Sequence, residues 1–180
     1  LDALAKPVLK LAGSRWDPTR PGYQTTLHGS EIRITNVATG QTRTVTDLPA
    51  GSRIDGVNWS PDSQWMSVTA DMDGGGIGLY VIDVETLSSH EVTGLRLKDS
   101  LAATTQWLRD SSAIYATAVP DGQPPFPQPT ATPDGPNIQE SHDNRTRTAT
   151  YQDLLTSPHD EACFAHIITC QLVRIAVRDL

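Results

Sequence analysis

The sequence predicts an all-β fold: a partial β-propeller of about two four-stranded blades plus flanking strands, with a Pro-rich loop and a small helical insert. Three observations predict it. Short runs rich in β-branched and aromatic residues follow one another to Val119, separated by turn residues and with no helical period between them. The turn Trp59-Ser60-Pro61-Asp62-Ser63 returns as Trp107-Leu108-Arg109-Asp110-Ser111. The spacing is constant as well. Asn36 maps to Asp83 and Val45 to Val92 with an offset of 47, while Trp59, Asp62 and Ala70 map to Trp107, Asp110 and Ala118 with an offset of 48. A period in the high forties with four short strands per unit is the pattern of propeller blades.

Each element has a local reason. Val8 to Ala12 reads as a short strand after a frayed turn or helix end at Leu1 to Ala5, and Ser14 to Ser30, rich in Pro, Gly and Thr, reads as a long connection or hairpin tip. Glu31 to Val37 alternates polar and apolar, Ala38 to Gln41 is a turn, and Thr42 to Thr46 resumes β-favouring residues. Ile54 to Trp59 and Trp65 to Ala70 flank the opening turn, where Pro61 pre-sets φ and Asp62 and Ser63 can bond the nearby backbone. Trp59 is expected to be a core anchor between neighbouring blades. Gly78 to Val84, Ser89 to Thr93, Ala102 to Trp107 and Ala113 to Val119 repeat the order.

The pattern breaks at Pro120 to Pro136, whose seven prolines suit an extended loop and no central strand. Gln139 to Thr148 reads as polar and exposed. Two helix starts are expected, at Thr150-Tyr151-Gln152-Asp153 and at Ser157-Pro158-His159-Asp160. Ile167 to Val177 returns to strand. The expected organisation is blade material over 8–119, loop and helical insert over 120–165, and the start of the next blade over 166–180.

The 180 residues are 37% hydrophobic and 19% charged with net charge −7, enough for one domain with a buried core. The acidic balance and lack of a basic run argue against a nucleic-acid partner. No run is long enough to cross a bilayer, so a soluble chain without a membrane partner is expected. The first residue is Leu, no signal-peptide pattern is present, and a single blade cannot bury both faces alone; the chain reads as a piece of a larger ring. The compartment stays open between periplasmic, secreted and, in a plant, plastid. Cys163 and Cys170 form neither a disulfide framework nor a metal knuckle, and two ordinary buried thiols are expected.

Candidate chemistry is thin. Asp71-Met72-Asp73-Gly74-Gly75-Gly76 has too few carboxylates for a calcium loop and falls where a blade needs a turn. A strand rather than a helix follows Gly74 to Gly78, which excludes a dinucleotide fingerprint. His28 and His90 are expected to be exposed, and the spacing of His142, His159 and His166 matches no zinc pattern. No Gly-x-Ser-x-Gly elbow occurs. No catalytic, cofactor-binding or metal residue is therefore assigned, and no cofactor is expected.

The insert motifs Gly135-Pro136-Asn137-Ile138-Gln139-Glu140-Ser141, Thr150-Tyr151-Gln152-Asp153-Leu154-Leu155 and Pro158-His159-Asp160-Glu161, with Leu9 to Gly13 and Trp59 to Asp62, carry a resemblance. The chain resembles the N-terminal propeller of the glutamyl endopeptidase branch of the prolyl oligopeptidase family of serine peptidases. Ala176 departs from that pattern, standing where an acidic residue is usual. The resemblance implies a propeller that restricts access to an α/β-hydrolase domain with a Ser-Asp-His triad. Its partners would be that catalytic domain and peptide substrates, with cleavage after Glu. The triad lies outside this chain, so whether the chain alone is an enzyme is left open, while the parent is expected to be one. The alternative is a non-catalytic propeller of the TolB or WD-repeat type acting as a protein-binding scaffold.

Overall fold

A computed structural model describes residues 7–24, 28–72, 75–101, 103–129 and 151–179. The motif Gly135 to Ser141 and the polar stretch after it lie outside these residues, as do Leu1 to Ala5, Asp73, Gly74 and Thr150.

The chain is all-β, a partial propeller of stacked antiparallel sheets with one short helix. The first sheet contains β1 (Leu9–Leu11), β2 (Ser14–Asp17) and β3 (Gly22–Tyr23). Two of these strands fall within Ser14 to Ser30, the expected connection or hairpin tip. Ala12 and Gly13 join β1 to β2, both with positive φ (51° and 75°), as a two-residue hairpin turn requires. Ala is an unusual residue for that backbone, which is why the hairpin was hidden in the sequence.

The hairpin of β4 (Arg33–Thr35) and β5 (Thr42–Thr44) forms a second sheet. A four-stranded sheet follows, in the order β6 (Ile54–Trp59), β7 (Trp65–Asp71), β8 (Ile77–Asp83) and β9 (Ser89–Glu91). The last sheet holds β10 (Thr105–Trp107), β11 (Ala113–Ala118) and β12 (Gln171–Ala176).

The repeated turns explain the repeated sequence. Asn36 Oδ1 accepts from Ala38 N and Thr39 N, and 47 residues on Asp83 Oδ1 accepts from Glu85 N and Thr86 N. Gly40 closes the first of these turns at φ 70°, and Leu87 closes the second at φ 63°. At the opening turn Ser60 Oγ donates to Asp62 Oδ1 and accepts from Trp65 N. Asp110 accepts from Ser112 N and Oγ in the second copy, and Ser111 Oγ accepts from Asp62 N, which ties the two turns together. Asp62 and Asp110 titrate below the usual carboxylate range chiefly because Ser60 and Ser112 side chains donate to them.

Two cores stack the sheets. On one face of β6–β9, Met66, Val68, Tyr80 and Ile82 pack under Ile32, Ile34 and Val45 of the β4–β5 hairpin. On the other face Ile77, Leu79 and Val81 meet Trp107, Ile114 and Ala116. Leu97 bridges the two larger sheets through Ile77 and Ala118. Trp59 departs from the expected core anchor. It is 49% exposed, whereas its repeat partner Trp107 is 7% exposed.

The helical insert also differs in detail. Tyr151 to Asp153 is not helical; Asp153 has φ 58° and its carbonyl accepts from Gly13 N. The second start is real. Ser157 caps α1 (Pro158–Ile168) by accepting from Asp160 N, while Asp160 Oδ2 accepts from Ser157 N, with Pro158 in the first turn. The bond from Thr156 N does most to hold the Asp160 carboxyl below its usual range, with the Thr156 hydroxyl and Ser157 adding to it.

Ile167 and Ile168 belong to α1, and strand resumes at Gln171. β12 pairs with β11 in the register Ala118 to Gln171 through Ala113 to Ala176. The stretch 166–179 is thus a helix end, the third strand of an existing sheet and a short 3-10 turn, rather than the opening of a further blade. The Pro-rich loop and α1 interrupt that sheet between its second and third strands. Propeller blades are recognised by consecutive hairpins, and an insertion inside a hairpin breaks that cue.

Candidate functional site

The inner strands β6 and β10 border a cavity of about 340 Å³. Arg20 reaches it from the β2–β3 loop. It is 7% exposed, bonds the Asp55 carboxylate through Nη2, and lies 2.7 Å from Asp71 Oδ1 through Nε. Arg53 adds a second guanidinium 3.5 Å from Asp71 Oδ2. One buried cation shared by two carboxylates fixes the first sheet to the blade, since breaking such a group leaves charge unpaired in a poorly solvated place. Asn58 Nδ2 donates to Thr105 Oγ1 across the cavity, and Asp99 accepts from Thr104 Oγ1. The lining is polar and suits hydrogen bonding to main chain or polar side chains rather than an apolar ligand.

A second cluster joins the insert to the blades. Lys98 is 2% exposed, and its Nζ donates to His166 O at 2.6 Å and to Gln123 Oε1 at 3.0 Å. Gln123 Nε2 also donates to His166 O. The ammonium therefore sits at the C-terminal end of α1, where helix dipole and free carbonyls favour a cation. Burial nevertheless pushes the Lys98 pKa down, and burial followed by the Lys98 charge pushes His166 down. The apolar side of α1 presents Cys163 and Ile167 to Leu11 and Trp16, with Trp16 stacked on Tyr23 at 4.2 Å.

Cys163 Sγ lies 3.5 Å from His159 Nε2, one helical turn away. The pair lacks the character of a nucleophile and its base: burial, then Asp160, pushes the thiol up, and a reactive cysteine needs its thiolate stabilised. Cys170, expected to be buried, is exposed, and both cysteines are free. His90 is exposed, and His28 Nδ1 lies 3.3 Å from Arg53 Nη2. Asp71, read first as part of a glycine-rich turn, ends β7 and carries the ion pairs to Arg20 and Arg53. Sequence reasoning missed Arg20, Asp55 and Lys98, because lone charged residues carry no motif and long-range pairing alone gives them roles.

No protein-family model matches the chain. A protein of Oryza sativa subsp. japonica described as a probable chloroplastic glutamyl endopeptidase is 30% identical over 190 aligned positions, which cover 96% of this chain and 20% of that protein. The chain is similar to this glutamyl endopeptidase along nearly its whole length. An Arabidopsis thaliana protein of the same description is 26% identical over 94% of the chain and 19% of its own length. This glutamyl-endopeptidase-like chain thus spans about a fifth of the curated relatives it matches.

Among solved structures, an acylaminoacyl peptidase of Pyrococcus horikoshii aligns over 49% of the chain and 13% of its own, at 23% identity and TM-score 0.38. TolB of Acinetobacter baumannii aligns over 66% and 28%, at 21% identity and TM-score 0.39. The propeller assignment rests on the sheets themselves. No helix among the described residues is long and apolar enough to cross a membrane.

Proposed function

We propose that this chain is the substrate-gating propeller portion of a serine peptidase of the prolyl oligopeptidase family that hydrolyses peptide bonds after Glu. The observation that carries the reading is the match to a glutamyl endopeptidase along 96% of the chain. Stacked blades with a polar inner cavity suit the role, because a rigid ring admits extended peptides and excludes folded proteins by size. The chain's contribution is steric selection and lining of the substrate path. Attack and oxyanion stabilisation belong to an α/β-hydrolase domain elsewhere in the polypeptide, its partner in this reading.

A fluorophosphonate probe applied to the full-length gene product and to residues 1–180 tests this. The full-length protein is expected to be labelled at one serine and the 180-residue chain to stay unlabelled. Labelling of the short chain would place the nucleophile here and sink the assignment. An unlabelled full-length protein would favour the non-catalytic scaffold.

A further inference from the structure

The two repeated tryptophans have different surroundings. Trp107 and Thr105 pair with Ile114 and Ala116, and this face is covered by the β6–β9 sheet. There Trp107 Nε1 donates to Asn58 O at 3.2 Å and Ser67 Oγ at 3.1 Å. Trp59 and Val57 are the counterparts of Trp107 and Thr105, paired with Met66 and Val68. Directly paired residues of antiparallel strands share a face. Trp59 and Val57 therefore lie on the face that β4–β5 covers, but the cover is half complete. Met66 and Val68 are buried beneath it, whereas Val57 is 41% and Trp59 49% exposed. In the repeat, β4 and β5 stand where β8 and β9 stand in the next sheet, so they are an outer pair. No inner pair accompanies them among the described residues, since the strands just upstream form the β1–β3 sheet under α1.

We propose that Val57 and Trp59 seat an inner β-hairpin of the same polypeptide, from beyond residues 1–180, which pairs with β4 and completes the blade that β4–β5 begin. The established contact between the two larger sheets defines what the hairpin offers. It presents a main-chain carbonyl and a Ser or Thr hydroxyl to Trp59 Nε1, in the places that Asn58 and Ser67 take for Trp107. Opposite Val57 it carries an apolar side chain. Val57 has no oxygen to receive the amide donor that Asn58 gives Thr105. The inference rests on the propeller fold and is independent of peptidase activity.

The test uses the full-length gene product labelled with 5-fluorotryptophan, with Trp59→Phe to assign the resonance. Trp59 is expected to show indole N–H exchange slowed at least about tenfold relative to the isolated 180-residue chain, at every protein concentration. Exchange as fast as in the isolated chain overturns the proposal. Protection that grows with concentration assigns the seat to a second copy and overturns it equally. If Trp59→Phe does not fold, Val57→Cys serves: its thiol should react with a water-soluble disulfide reagent about tenfold more slowly in the full-length protein than in the isolated chain. Equal rates refute the seat. Neither readout depends on hydrolysis, so this inference and the peptidase reading fail separately.

Discussion

At the scale of single residues, Trp107 is the most consequential side chain of the stack. Its ring fills the joint between two sheets, and its indole satisfies a carbonyl of β6 and a hydroxyl of β7 at once. Trp107→Phe keeps most of the apolar contact but removes the indole donor from both acceptors, while Asn58 O keeps the longer bond from Ser67 Oγ. The loss should be about 1–3 kcal/mol, read as a lower denaturant midpoint with unchanged slope in the full-length protein. What was legible in the sequence at this scale was the identity of the pair Trp59 and Trp107, not their difference. A repeat shows that two residues occupy equivalent positions; it does not show whether each has a neighbouring sheet to lie against. Arg20 and Lys98 were illegible for a related reason. Their partners are distant in sequence, Asp55 and Asp71 for one and the end of α1 for the other.

At the scale of elements, strand positions and turns could be read closely, because alternation, Asx turns and the Ser-Pro-Asp device are local. The β1–β2 hairpin and the true place of β12 could not, since one turns on an Ala with positive φ and the other is separated from its partner by the insert. The helix start at Ser157 was legible down to its reciprocal bonds. Ser157→Ala should weaken the docking of α1 by about 1 kcal/mol, within a range of about 0.5–2, measured by hydrogen exchange across 158–168.

Acid should loosen the same element. Burial and the Lys98 charge hold the folded His166 below the usual histidine range, so the unfolded segment takes up the proton first as pH falls. The contribution is complete above about pH 6.5 and is lost as pH drops towards the folded value. An NMR titration should place the His166 midpoint below that of a free histidine. His166→Gln should flatten the dependence of α1 protection on pH in that window; an unchanged slope would assign the acid response to another group.

At the scale of the whole molecule, sheets that stack face to face need neighbours on both sides, and here one face is half covered, with Val57 and Trp59 exposed. The isolated 180-residue chain is therefore expected to be marginally stable, to bind a hydrophobic dye and to associate as its concentration rises. Sedimentation and thermal unfolding decide it: a cooperative, monomeric melt without dye binding would show that the open faces need no partner.

The insert between β11 and β12 also sets a schedule for synthesis. β11 leaves the ribosome with one edge ready to pair, yet its partner arrives only after about fifty more residues, an interval of roughly 3–10 s at typical elongation rates. Through that interval the last sheet has a bare outer edge at β11, which carries Ile114, Ala116 and Ala118. An exposed edge of that kind is a template for pairing with another nascent chain. The position of α1 in the sequence thus makes the moment before β12 emerges the point at which this domain most needs a chaperone.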